Sequence, residues 1–399
     1  MSALPQTAAN SMFDEIRPYR DDEAFDVLQR TIRDPELLGA VRSLLLPAWS
    51  QPLATVLDPL LGLYLRWQAR KVHSISDLQA VMEKYLVHAL DTTTAGFTVS
   101  GLQYVPRDQA CLFIGNHRDI ALDPAFMSLS LHRCGLNTCR IAIGDNLLSK
   151  PFVADLLRLN KCFIVNRSAS GNRQLLKTYQ QLSQFIEHSI VTESTSVWLA
   201  QREGRAKDCD DRTEPAILKM LHMSGKKNGR SLAEHLATLR VIPVSISYEL
   251  DPCDVMKAEE LLAVKNGTKY AKAEHEDVSS IGKGVSGEKG RVHLAFCPPL
   301  SGASESAEQV AKEIDASLHR YYQLQPSNLL AFEQQGQTAP QWLQEQVYGK
   351  TVNPQWLASR RDKFMQRIQQ LSPDKRDMIV QMYAQPVLNR LALECPQSV

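Results

Sequence analysis

Gly115-Asn116-His117-Arg118-Asp119-Ile120-Ala121-Leu122-Asp123-Pro124 sets a histidine and two carboxylates directly behind the short apolar run Cys111-Leu112-Phe113-Ile114. Imidazole is the side chain best suited to take up and return a proton near neutral pH, and a carboxylate within reach fixes its tautomer and raises its basicity. The apolar run has the length of a buried strand, which puts His117 at the carboxyl end of that strand, where open α/β sheets keep their chemistry. His117 is therefore the candidate general base, with Asp123 or Asp119 as its orienter.

Three further segments follow the same pattern. Lys161-Cys162-Phe163-Ile164-Val165-Asn166-Arg167 delivers Arg167 at a strand exit, and a guanidinium there can hold a phosphate by paired charge-assisted hydrogen bonds. Trp198-Leu199-Ala200-Gln201-Arg202-Glu203-Gly204-Arg205 brings Glu203, Gly204 and Arg205 together, with Lys207 two residues on. Glycine lets the backbone come close to a ligand, and the cations can grip an anion. Val241-Ile242-Pro243-Val244-Ser245-Ile246 is an apolar strand with an internal proline. Proline cannot donate to a ladder, so the expectation is an edge, a bulge or a bend beside the site.

The elements that must position these groups change character along the chain. From about Asp21 to Leu90 apolar residues recur at helical spacing, as in Leu78, Val81, Met82, Tyr85, Leu86 and Ala89, with Ser76 placed as a cap. Short apolar runs then alternate with amphipathic stretches, the signature of a sheet with crossover helices. Strands are predicted over Cys111–Ile114, Cys139–Ile143, Cys162–Val165, Ser196–Ala200, Leu239–Ser247 and Arg291–Phe296. Between the last two, Asp251–Gly290 is polar and carries four glycines at 282, 284, 287 and 290, which predicts a long excursion with a mobile tip. Past Pro299 helices return over Ala307–Tyr322, Arg360–Leu371 and Arg376–Leu393. The partition expected is a helical region over 1–95, an α/β core over 96–325 and a helical appendage over 326–399.

Composition narrows the function. Forty-five basic against 44 acidic side chains leave a net charge of +1, which argues against a broad electrostatic grip on nucleic acid. Eight scattered cysteines without a Cys-x-x-Cys pair read as reduced thiols, and no metal-ligand cluster stands out. Met1–Asn10 lacks a basic region followed by an apolar one, so no secretory signal is expected and the compartment expected is the cytoplasm. The most apolar window, Leu44–Trp67, is broken by Pro47, Pro52, Asp58 and Pro59, so no spanning helix is predicted. Its Leu-rich pieces with Trp49, Tyr64 and Trp67, followed by Arg66, Arg70 and Lys71, fit either helices packed on a core or a segment lying at a bilayer surface.

Taken in order, the four blocks resemble the motifs of the glycerolipid acyltransferases, the family of glycerol-3-phosphate and lysophosphatidate acyltransferases. Asn116-His117 and Asp123 are similar to the family's first motif, here with five rather than four residues between histidine and aspartate. The Phe163-to-Arg167 block resembles the second, Glu203-Gly204-Arg205 the third with its arginine one position early, and the proline-containing strand the fourth. The resemblance spans roughly Val99–Leu300 and implies an α/β fold, a mixed sheet flanked by helices, with helical N- and C-terminal additions. It implies transfer of a fatty acyl group from an acyl thioester, on coenzyme A or acyl carrier protein, to the hydroxyl of a glycerol-phosphate or lysophosphatidate-type acceptor. It also implies substrate contacts from Asn116, Arg118, Arg167, Glu203, Gly204, Arg205 and Lys207 and no cofactor or metal; peripheral contact with the membrane surface is the expectation that the Leu44–Trp67 window leaves open. An acceptor lacking phosphate, or a catalytically silent lipid-binding protein of the same fold, are the alternatives left open.

Overall fold

The computed structural model describes residues 12–394 apart from 47, 149, 168–170, 274, 275 and 352. The N-terminal ten residues read above for a signal, Pro47, the side chain of Trp49, Ser149 and Cys395 lie outside the described residues. Seven strands are present among the described residues: β1 (Thr94–Ser100), β2 (Leu112–Gly115), β3 (Arg140–Gly144), β4 (Cys162–Val165), β5 (Val197–Ala200), β6 (Val241–Tyr248) and β7 (Gly290–Phe296). The six predicted runs correspond to β2 through β7, and β1 is additional. The fold class is the expected one, α/β with a mixed sheet flanked by helices.

The chain divides into two compact units, one from the described residues of Met1–Val87 and Cys139–Ile186, the other from His88–Thr138 and Glu187–Val399. This division cuts across the expected boundaries at 95 and 325. β3 and β4 cluster with the N-terminal helices, and the C-terminal helices cluster with β1, β2, β5, β6 and β7.

In the larger unit the strands run β1-β7-β6-β2-β5. β2 pairs in parallel with β5 and with β6, and β6 pairs antiparallel with β7, which is parallel to β1. β6 is buried at every position, as expected of a strand covered on both faces. Pro243 sits in this central strand with its register to Ile114 unbroken, not at an edge or bulge. Its carbonyl accepts from the Cys297 amide at 2.9 Å, and the N–H and C=O of one strand residue face the same side. The missing donor therefore points past Phe296, where the β7 ladder has ended, and the β2 ladder loses nothing. β1 ends at Gly101, whose φ of +76° lies in the left-handed region; a Cβ there would stand 1.8 Å from the Phe296 carbonyl oxygen.

The stretch 251–290 is not a loose excursion. It forms helices Asp254–Lys265 and Glu276–Ser286, whose small residues allow close packing: a Cβ on Gly284 would meet Asp119 Oδ2 at 2.1 Å. Nor are the C-terminal helices set apart. Leu329, Phe332, Phe364, Ile379, Tyr383 and Val387 share one core with Leu250 and Ala258.

The smaller unit holds the parallel pair β3 and β4 and a helical core of Ala24, Val27, Leu28, Ile32, Ala69, Val72, Ile75, Leu78 and Leu159. The helix Ile75–Thr93 is capped by Ser74, whose hydroxyl accepts from the Asp77 amide at 3.1 Å, while the expected Ser76 lies inside the helix. Helix Ala54–Ala69 turns Gly62 and Ala69 inward and exposes Val56, Leu60, Leu63, Tyr64 and Trp67. Among the described residues no helix is long and apolar enough to cross a membrane. The seven described cysteines are free thiols.

Candidate active site

Parallel register on both sides of β2 brings Gly115, Ala200 and Val244 level, and β6 runs on to Tyr248 beyond them. The chain leaving β2 meets that projecting end. Gly115 is needed there: a Cβ would lie 2.9 Å from Trp198 Nε1 and 3.2 Å from the Val244 carbonyl oxygen. The space admits the Trp198 indole, against which the His117 ring packs edge-on at 5.7 Å between centroids and 72°.

Asp123 stands in the first turn of helix Leu122–Arg133, 2% exposed. Its Oδ2 accepts from the Arg118 amide at 2.6 Å and the Asp119 amide at 2.9 Å, and lies 3.0 Å from His117 Nδ1. Its Oδ1 accepts from the Tyr248 hydroxyl at 2.7 Å. Two backbone amides and a phenol already donate to this carboxyl, so it presents acceptor oxygens to the ring as well, which assigns the proton to Nδ1. Nε2 has no hydrogen-bond partner among the described residues, and the His117 side chain is 14% exposed. The arrangement leaves a lone pair on Nε2 and a negative charge behind the ring, as a general base requires.

Asp119, the alternative orienter, makes no bond to the imidazole. Its Oδ1 accepts from the amides of Ala121 at 2.9 Å and Leu122 at 2.8 Å, closing the turn before the helix. Burial pushes its carboxyl above the ordinary range, and the Asp123 charge adds to this against those two amides.

Asn116 and Arg118, expected at the substrate, belong to the scaffold instead. Asn116 is 1% exposed; its Oδ1 accepts from the Ile246 amide at 2.7 Å, and its Nδ2 donates to the Ile246 carbonyl and to Asp211 Oδ2, each at 3.0 Å. The amide thus replaces the ladder partners that β6 loses where β2 ends. Arg118 is 4% exposed, donates to Asp211 Oδ2 at 2.6 Å and lies over the Tyr322 ring. Burial works against its charge, but the Asp211 carboxylate outweighs this and holds the guanidinium protonated.

The loop after β5 begins with Gln201, fully buried, whose amide donates to the Gly115 carbonyl at 2.8 Å. Gly204 has a φ of +73°, the conformation for which glycine is suited, and Glu203 beside it is exposed. Arg205 is half-buried: Nη2 donates to Ser280 Oγ at 3.3 Å, while Nη1 is buried without a partner among the described residues. Lys207 is taken up by Glu260 on helix Asp254–Lys265 at 2.7 Å, an ion pair that competes with any anion it could hold. Arg167 belongs to the smaller unit, exposed at the exit of β4, with its guanidinium against Gly144; a Cβ there would lie 2.8 Å from Arg167 Cζ.

Sequence reasoning missed Tyr248, Trp198 and Asp211 as partners of these groups. Trp198 heads a quoted block, and Tyr248 lies one residue past the run read as strand. Asp211 follows an acidic stretch indistinguishable from a solvated loop. No group of three or more His, Cys, Asp or Glu among the described residues is placed to hold a metal ion.

Residues 96–247 match the family model described as Acyltransferase. Among solved structures the chain is similar to the 1-acyl-sn-glycerophosphate acyltransferase PlsC from Thermotoga maritima, at 14% identity over 61% of this chain and 78% of that one, with a TM-score of 0.36. No curated protein matches the chain.

Proposed function

We propose, from the premise that residues 96–247 are an acyltransferase-family domain, that this acyltransferase moves a fatty acyl group from an acyl thioester to the hydroxyl of a glycerol-phosphate or lysophosphatidate-type acceptor, with His117 as general base. The donor carrier is coenzyme A or acyl carrier protein. The observation that carries the reading is the His117–Asp123 pair at the exit of β2, with Nε2 left open.

In this mechanism Nε2 takes the acceptor's hydroxyl proton as that oxygen attacks the thioester carbonyl. Asp123 stabilises the imidazolium without taking the proton, because its oxygens already serve Tyr248 and two backbone amides. Collapse of the tetrahedral intermediate breaks the C–S bond and expels a thiolate, which receives the proton back from the imidazolium. The product is an ester and a free thiol, with no acyl-enzyme.

Arg205 is the acceptor-phosphate contact in this reading, since its Nη1 is unsatisfied among the described residues. The test is turnover of a radiolabelled acyl thioester with acceptors that carry or lack phosphate. We expect His117→Ala to abolish transfer, and Arg205→Ala to raise the Michaelis constant for the acceptor far more than for the donor. Arg167→Ala in the same assay reads whether that arginine contributes. Preference for an acceptor without phosphate would overturn the acceptor assignment. Lipid binding without any turnover would replace catalysis by a silent binding role.

The reading extends to a peripheral attachment through helix Ala54–Ala69. Val56, Leu60, Leu63 and Trp67 are 60%, 57%, 58% and 52% exposed and recur every three or four residues, forming one apolar stripe. Arg66 precedes Trp67, and Arg70 and Lys71 follow it, Lys71 lying 4.4 Å from the centre of the Trp67 ring. This is the composition of a helix lying in a bilayer interface with anionic lipid. Leu60→Glu with Leu63→Glu is expected to abolish cosedimentation with anionic vesicles; unchanged binding would refute the attachment.

A further inference from the structure

Lys257 lies outside the stretch 96–247, on helix Asp254–Lys265, and is 1% exposed. Its ammonium donates to the Arg118 carbonyl oxygen at 2.7 Å and to the Asp251 carboxylate. A buried ammonium carries a large desolvation cost unless it is paired and hydrogen-bonded, so its location calls for a reason. The Arg118 carbonyl belongs to the same peptide unit as the Asp119 N–H, and that N–H donates to Asp123 Oδ2 at 2.9 Å. One peptide plane is thereby held at both ends, by a cation on its oxygen and by the orienter of His117 on its nitrogen. A positive charge on the carbonyl also polarises the N–H toward Asp123.

The mounting of Lys257 is equally specific. The Asp251 amide donates to the Tyr383 hydroxyl at 2.7 Å, that hydroxyl donates to Asp254 Oδ2 at 3.0 Å, and Arg367 donates to Asp254 Oδ2 and to the Asp251 carbonyl, each at 2.6 Å. Burial alone would raise the Asp251 carboxyl, but the Lys257 charge and hydrogen bond bring it below its ordinary value. The segment that carries Lys257 is thus anchored to helices Pro354–Gln369 and Pro373–Glu394.

We propose that Lys257 is a positioning residue for the His117–Asp123 pair, acting through the Arg118–Asp119 peptide, so that the C-terminal helices set the geometry of the base. This rests on His117 being the base. Lys257→Met alone would strand a buried Asp251 charge and confuse folding with catalysis. The comparison that avoids a stranded charge is the parent against Lys257→Met/Asp251→Asn, which replaces the whole ion pair by neutral groups.

For the double variant we expect cooperative unfolding like that of the parent, Michaelis constants for both substrates within about twofold, and a kcat lower by about tenfold to a hundredfold, the cost of a displaced reacting group. The proton signal of the His117 Nδ1–H, followed by nuclear magnetic resonance, is expected to move in the double variant relative to the parent. A kcat equal to the parent's and an unmoved signal would overturn the assignment. His117→Ala measured alongside keeps the two ideas apart. If it retains turnover, the base reading itself falls; if it loses turnover while the double variant keeps its kcat, only the role of Lys257 falls.

Discussion

Asp123→Asn separates the charge of the orienter from its shape. In the native chain Oδ2 receives three donors and Oδ1 receives the Tyr248 hydroxyl. An asparagine oxygen can take the three-donor position, and its NH2 then faces a phenol able to rotate and accept, so the turn loses about 1 kcal/mol at most. The negative charge facing the imidazolium is lost outright. For a separation of 3.0 Å and an effective dielectric constant near 20, two unit charges attract by about 5 kcal/mol. Partial exposure of the ring, 14%, brings this to about 3–4 kcal/mol. At about 1.4 kcal/mol per factor of ten, kcat is expected to fall by about 10² to 10³. Michaelis constants and the unfolding midpoint should change little. The assay is thiol release from an acyl thioester in the presence of acceptor, beside urea unfolding of the same preparation. A variant that unfolds like the parent and keeps kcat within about fivefold would refute the argument that Asp123 acts through its charge.

Asn116→Ala removes three buried hydrogen bonds, two to Ile246 of β6 and one to Asp211, and should lower the unfolding free energy by about 3–5 kcal/mol, seen as a lower urea midpoint at constant slope. A loss below about 1 kcal/mol would mean that water replaces the amide. Gly101→Ala forces a left-handed residue and drives a Cβ to 1.8 Å from the Phe296 carbonyl oxygen, so destabilisation beyond about 3 kcal/mol is expected by the same measurement. Burial holds His235, His293 and His319 below the ordinary imidazole value. As pH falls through about 6.5 the unfolded chain takes up protons that the folded chain refuses, so stability declines on acidification by up to about 1.4 kcal/mol per pH unit for each histidine. His293→Gln should flatten that slope by one proton relative to the parent; parallel slopes from about pH 6.5 to 5.5 would contradict it.

The strands most legible in the sequence are those in which every residue is buried. Leu112-Phe113-Ile114 and Val241-Ile242-Pro243-Val244 have nothing polar to satisfy outside a sheet core, so composition alone marks them. β1 escaped notice because Thr94–Ser100 follows a helix without a break and opens on Thr94-Ala95-Gly96, so the alternation of Phe97 and Val99 with Thr98 and Ser100 is too short to stand out. Helix Glu276–Ser286 was concealed by its glycines, which signal a loop in isolation; Gly284 serves close packing on Asp119, a contact that no local pattern encodes. At the site, residue types pointed to the right turn but could not divide its labour. Asn116, His117, Arg118 and Asp119 are consecutive polar residues, and which of them keeps an exposed edge depends on Asp211, Tyr248 and Lys257, at the far end of long sequence separations. Arg118 in particular carries the charge of a ligand-binding group and the burial of a core residue.

The placement of β7 between β1 and β6 has a consequence for how the protein must be made. Among the described strands β1 has β7 as its only neighbour, and β7 comes from Gly290–Phe296. A truncated product ending at residue 247 would carry the two outer members of a three-strand ribbon and lack the middle one. On the ribosome, Thr94–Ser100 must likewise wait for everything through Phe296 before its backbone amides find their lasting partners. The smallest piece worth expressing is therefore longer than the stretch 96–247 that matches the family model.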